Sequence, residues 1–125
     1  MLIAQAVYDK KGHDLVLLHV SELTSVSDYY LICSADSEPQ VRAIVDAVDK
    51  DLSKKKVSPF GVEGMKTASW VLVDYGDVLL HIFRNETRAF YNLDSLWVDA
   101  ERIDLSTIEK SLLKKTTTRK KKDTT

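Results

Sequence analysis

The chain has 125 residues, enough for one domain with a genuine core and short for two. Apolar residues make up 44% and charged residues 30%, as in water-soluble globular proteins, and no apolar run is long enough for a bilayer-spanning helix. The net charge of −1 hides a division: residues 106–125 carry seven basic side chains against two acidic (net +5), and the remainder carries eleven against seventeen (net −6).

The opening MLIAQAVYDK has no basic region ahead of an apolar stretch, so a secretory signal is not visible and the mature protein is expected to stay inside the cell. Leu2, Ile3, Ala6 and Val7 recur at helical spacing and predict a short helix over residues 2–10, stopped by Gly12. DLVLLHV (14–20) and DYYLICS (28–34) are short apolar runs rich in β-formers and read as strands. Cys33, the sole cysteine, lies within the second run and reads as a buried thiol, not a nucleophile.

Ser37 with Gln40 three residues on predicts a capping box, and Val41, Ile44, Val45, Val48 and Leu52 then line one face of a long helix. Lys54, Lys55 and Lys56 close it, where cations complement the helix dipole. Pro59 and the glycines of FGVEG mark a loop or irregular strand.

SWVLVDYGDVLLHIF reads as a hairpin. With Tyr75 and Gly76 as a two-residue turn, Trp70 faces His81, Leu72 faces Leu79 and Asp74 faces Asp77. Alternation gives an aliphatic face (Val71, Val73, Val78, Leu80, Ile82) suited to a helix-covered core. It leaves a mixed face (Trp70, Leu72, Asp74, Asp77, Leu79, His81, Phe83) with the composition of an interface. Asn85 then caps a helical segment through Arg88, Phe90 and Tyr91, and Leu93, Leu96 and Trp97 supply an apolar end for docking on the sheet. The domain is expected to span residues 1–105. The basic stretch 106–125 has too little apolar surface to offset its ordering entropy and is expected to be disordered.

Five strings, SVSDYYLIC (25–33), QVRAIVDAV (40–48), GVEG (61–64), WVLVDYGDVLLHIF (70–83) and RAFYNLDSLW (88–97), resemble the Iojap family of ribosomal silencing factors in order and without large gaps. The resemblance implies an α/β fold with a mixed, roughly five-stranded sheet flanked by helices, akin to nucleotidyltransferases without their catalytic residues. It implies a non-enzymatic protein that binds the large ribosomal subunit through its fourteenth large-subunit protein, sterically blocks the small subunit and represses translation. Organellar relatives act in large-subunit assembly, which is the alternative reading. The chain departs from the family where many members have Ser-x-Arg-His: here the stretch is SEPQ, and the basic tail lies outside the familiar domain.

Trp70 is the first candidate for partner contact, because large aromatic groups dominate interface energetics and the resemblance places it at a surface position. Leu72 and Leu79 share its face. Asp74 could steer basic groups of a ribosomal protein, or hydrogen-bond its own turn. His81 is expected opposite Trp70, as a contact or as a satisfied structural histidine. Arg88 and Tyr91, at i and i+3, form either a partner-facing patch or a bridge from helix to sheet.

Catalysis in a nucleotidyltransferase-like fold needs clustered carboxylates and a glycine-rich phosphate loop. Asp74 and Asp77 flank a turn, and Asp49 and Asp51 point apart on a helix. No catalytic, cofactor or metal-binding residue is therefore assigned. Only the tail suits rRNA, as a weak and salt-sensitive contact, and no membrane partner is indicated. The apolar hairpin face would also permit a homodimer in the free protein.

Overall fold

The computed structural model describes residues 2–92, 95, 99–103 and 105. The elements in chain order are α1 (Leu2–Asp9), β1 (His13–His19), β2 (Tyr29–Ala35), α2 (Glu38–Ser53), β3 (Gly61–Glu63), β4 (Trp70–Asp74), β5 (Val78–Arg84), α3 (Asn85–Tyr91) and β6 (Glu101–Ile103). Among the described residues the six strands form one mixed sheet in the order β3-β4-β5-β2-β1-β6. β2 and β5 run parallel, and the other neighbours are antiparallel. The sheet thus gains a strand beyond the five expected: Glu101–Ile103 pairs with Leu17–His19. The apolar segment Leu93, Leu96 and Trp97 and the tail 106–125 lie outside the described residues.

α1 and α2 seal one face. Ile3, Ala4, Ala6 and Val7 of α1, with Val41, Ile44, Val45, Val48 and Leu52 of α2, pack on Leu31, Cys33, Val71, Val73, Leu80 and Ile82 of the strands. Burying each aliphatic side chain of this kind stabilises by roughly 1.5–3 kcal/mol, so this layer holds the sheet in shape. Within the buried cluster the Cys33 thiol is pushed up to about 12, because burial disfavours the thiolate.

Both helices end in a lysine forced into the left-handed region. Lys11 (φ 68) donates to Tyr8 O while Gly12 donates to Val7 O; Lys56 (φ 61) donates to Ser53 O while Val57 donates to Leu52 O. These are Schellman closures, whose left-handed position usually takes glycine. The stop expected at Gly12 is therefore made by Lys11, and Gly12 follows because a Cβ there would lie 2.3 Å from Val7 Cγ1.

Ser37 caps α2 as expected, accepting from Gln40 N at 3.3 Å. The Gln40 side chain departs from the expected box. Its Oε1 accepts from Asp36 N at 2.5 Å, and its Nε2 donates to the carbonyls of Lys10 and Lys11 at 3.1 and 2.9 Å, tying the start of α2 to the end of α1. In the SEPQ stretch Pro39 sits in the first turn, where its missing N–H costs nothing.

The β4–β5 register differs from the expected one by two residues. Trp70 pairs with Phe83, Leu72 with His81 and Asp74 with Leu79. Gly76 (φ 83) occupies the turn, with Tyr75 N donating to Val78 O at 3.0 Å and Asp77 N to Tyr75 O at 3.1 Å. The expected turn centred on Tyr75 and Gly76 would force tyrosine to positive φ, whereas this one needs it at glycine. An even offset preserves which side chains share a face, so the aliphatic and mixed faces of the strands stand as read.

Candidate partner-binding face

The face of the sheet opposite α1 and α2 carries Tyr30, Ile32 and Ser34 from β2, Trp70, Leu72 and Asp74 from β4, and Leu79, His81 and Phe83 from β5. Their strand positions follow from alternation in paired, register-matched strands. Leu18, Val20, Ile32 and Phe83 are buried here with Trp70 and Leu79 packed against them, so the face is a second, smaller core with an aromatic margin.

That margin is a run of rings in stacked, tilted and edge-on contact. The Trp70 ring lies 4.8 Å from Phe83, 5.0 Å from Tyr91 and 6.1 Å from His81; His81 lies 4.7 Å from Tyr30, and Phe90 meets Tyr91 edge-on at 5.1 Å. Offset and edge contacts at such spacings contribute beyond area burial and hold each ring in one orientation. Phe90 is 80% and Tyr91 52% exposed, while Trp70, Leu72 and Leu79 are half-buried. The solvent-facing surface is thus aromatic and aliphatic across β4, β5 and α3.

His81 is not on that surface. It is 4% exposed, and its Nδ1 accepts the indole Nε1–H of Trp70 at 3.2 Å. Indole nitrogen only donates, so Nδ1 is unprotonated and the proton of the neutral ring sits on Nε2. Nε2 is buried without a hydrogen-bond partner among the described residues, and burial pushes the imidazole down to about 4. Of the two roles set out for His81, contact or structural group, its burial and its bond to Trp70 fit the structural one.

Asp74 is half-buried, and its Oδ1 accepts from Gly76 N at 2.8 Å, the turn role set beside steering in the sequence reading. Arg88 turns inward: Nη1 donates to Ser34 Oγ at 2.8 Å and to the carbonyl of Asp14. Arg88 therefore bridges helix to sheet while Tyr91 extends the aromatic surface, so the pair expected to share one role divides it. Asn85, expected to cap α3, is its first helical residue; Arg84 holds the cap position.

Phe90, which the sequence reading did not single out as a candidate, adjoins Tyr91 on this exposed surface. The signal in the sequence was its adjacency to Tyr91, since neighbouring helical positions do not share a face. Trp70 itself is seated by Gly64 (φ 91), where an added Cβ would lie 2.2 Å from Trp70 O. An open groove of about 340 Å³ between β1 and β6, lined by residues including Leu15, Leu17 and Ile103, involves none of these side chains.

The geometry defines a class: a small mixed-sheet α/β protein with one face sealed by helices and the other ending in an exposed aromatic surface. A sequence model described as "Ribosomal silencing factor during starvation" matches residues 1–125, and the chain belongs to that family. It is 39% identical over 104 residues to the ribosomal silencing factor RsfS of Halalkalibacterium halodurans, covering 83% of this chain and 89% of that protein. It is 35% identical over 103 residues to the chloroplastic protein Iojap of Arabidopsis thaliana, covering 82% of this chain and 43% of that protein. A crystal structure from Bacillus halodurans superposes with a TM-score of 0.74 at 38% identity, covering 83% of this chain and 94% of that one. The mixed α/β fold and the Iojap resemblance both stand.

Proposed function

We propose that this chain is an anti-association factor that lays its Trp70 surface against the fourteenth protein of the large ribosomal subunit and so excludes the small subunit. The observation that carries this reading is the solvent-open aromatic surface of Trp70, Tyr91 and Phe90 on a rigid sheet, in a body of net charge −6. Rigid aromatic groups anchor interfaces, and an acidic body is drawn to a basic ribosomal protein. Trp70, Leu72, Leu79, Tyr91 and Phe90 make contact; His81 and Arg88 support them; Asp74 shapes the adjoining turn. No chemical step is needed. The mechanism is occupancy of space, acting where bacterial ribosomes are, in the cytoplasm.

Ser21 Oγ lies 2.8 Å from His19 Nε2, and His19 Nδ1 lies 3.3 Å from Glu101 Oε1, the bonding order of a hydrolase triad. With side-chain exposures of 37% for His19 and 69% for Glu101, it lacks the water-excluded setting in which such groups accelerate acyl transfer. We read it as a rim contact between β1 and β6. Residues 106–125 are proposed as a separate basic tail that adds salt-sensitive attraction to rRNA.

Co-sedimentation with separated ribosomal subunits, followed by a subunit-joining assay, tests the reading. Pelleting with large subunits and inhibition of joining are expected. Failure to pellet, or pelleting while whole ribosomes still assemble unhindered, overturns it.

A further inference from the structure

α3 carries Tyr91 and Phe90 yet buries none of its own residues, so core packing does not fix its position. Polar ties do. Asn85 Nδ2 donates to Asp36 Oδ1 at 2.8 Å, and Arg88 reaches Ser34 and the Asp14 carbonyl. The same Asp36 Oδ1 lies 2.9 Å from His13 Nε2, while His13 Nδ1 lies 3.0 Å from Asp14 Oδ2. Asp14 (φ 52) sits at the irregularity between His13 and Val16 in β1, which brings its carboxylate and carbonyl to this end of the sheet.

Both ring nitrogens of His13 therefore meet carboxylate oxygens. A neutral imidazole has one N–H and can satisfy only one of them; the imidazolium satisfies both. We propose that His13, Asp36 and Asn85 are positioning residues of the partner-binding face, a proton-dependent clasp that sets α3, and with it Tyr91 and Phe90, against Trp70. The inference rests on the reading of that face as the ribosome-binding surface.

The charged groups around His13 agree with this. Asp14 on its own strand and Asp36 before α2 favour the cation, and the hydrogen bond to Asp14, then that to Asp36, raise its pKa above 6.5. The hydrogen bonds from Asn85 and then from His13 in turn hold the Asp36 carboxyl below its usual range. From α3, Arg88 is turned to Ser34 and the Asp14 carbonyl, and Glu86 pairs with Arg84 at 3.1 Å. From α2, Glu38 pairs with Arg42 at 2.9 Å, and the carbonyls of Lys10 and Lys11 are held by Gln40. A pKa raised by folding means that the clasp is closed below 6.5 and opens as pH rises through the raised value.

The experiment measures affinity for large subunits and the ring-proton shifts of Tyr91 in the free protein, at about pH 6 and about pH 8.5. Wild type is expected to bind roughly two- to fivefold tighter at the lower pH, with the Tyr91 shifts moving in parallel. Asn85→Ala should weaken binding by a similar factor at the lower pH, change it little at the higher pH, where the clasp is already open, and move the Tyr91 shifts at the lower pH. Asp36→Asn keeps an acceptor for Asn85 but removes the charge from His13, so it should bind like wild type at the higher pH and gain nothing at the lower. Unchanged Tyr91 shifts in wild type across this range, or in Asn85→Ala, overturn the clasp. If Trp70→Ala binds like wild type, the reading of the face fails instead, and the Tyr91 shifts, which need no ribosome, still decide the clasp.

Discussion

Trp70 and His81 are joined by an indole N–H donated to Nδ1 at 3.2 Å, so a half-exposed aromatic anchor stands on a buried, neutral imidazole. The bond couples the surface to a group whose protonation the fold resists. The folded ring protonates only near pH 4, whereas the unfolded ring does so near 6.5. Stability from this group is complete above 6.5 and falls as pH drops toward 4, by about 3 kcal/mol in all. Urea unfolding across this range should show the slope, and His81→Phe should remove most of it. An unchanged slope in that variant would assign the effect elsewhere.

Gly64→Ala should disturb the anchor from below. The residue sits at φ 91, and a Cβ would meet Trp70 O at 2.2 Å. Left-handed strain and overpacking together are expected to cost about 2–4 kcal/mol and to shift Trp70. Chemical denaturation measures the first, and the ring-proton shifts of Tyr91 report the second.

Lys11→Gly and Lys56→Gly should each stabilise by about 1 kcal/mol, because glycine adopts the left-handed closing position that lysine holds at a cost. Neither touches the aromatic surface, so subunit affinity should not move. Thermal melts of the two single variants check this directly.

These outcomes show which parts of the molecule were open to a reader of the sequence. The helix-covered face was legible because Val71, Val73, Leu80 and Ile82 alternate and Val41 to Leu52 recur at helical period. The hairpin register was not, since moving the turn by one residue shifts the pairing by two, presents the same face pattern and differs only in which residue takes positive φ. β6 carries no periodic signal in three residues and exists by pairing with β1. The His13–Asp36 and Asp36–Asn85 contacts join residues 23 and 49 apart, and the Asp14 beside them adopts a left-handed backbone, neither of which local patterning encodes. His81 was placed on the right face, but its burial owes much to Tyr30 of β2 and Trp70 of β4 beside it, which the pattern of its own strand does not reveal.

Truncation after Leu105 should leave large-subunit binding largely intact while flattening its dependence on salt. Phosphate contacts contribute through released counterions, so losing the tail's seven basic side chains lowers the slope of log affinity against log salt. Complete loss of binding would make the tail part of the site.

Phe90 separates binding from folding most cleanly. At 80% exposure it has little packing to lose, so Phe90→Ala should stay within about 0.5 kcal/mol of wild-type stability. Its ring nevertheless meets Tyr91 at the margin of the surface, and removing it should weaken subunit binding about tenfold. Trp70→Ala should cost more, at least about 2 kcal/mol of binding, because it removes the central ring against which Phe83, Tyr91 and His81 are arranged. Lys54→Ala with Lys55→Ala, beyond the end of α2, should change affinity by less than about threefold, since cations there complement a helix terminus. Equal effects of the lysine and tryptophan changes in one sedimentation titration would move the binding surface away from β4, β5 and α3.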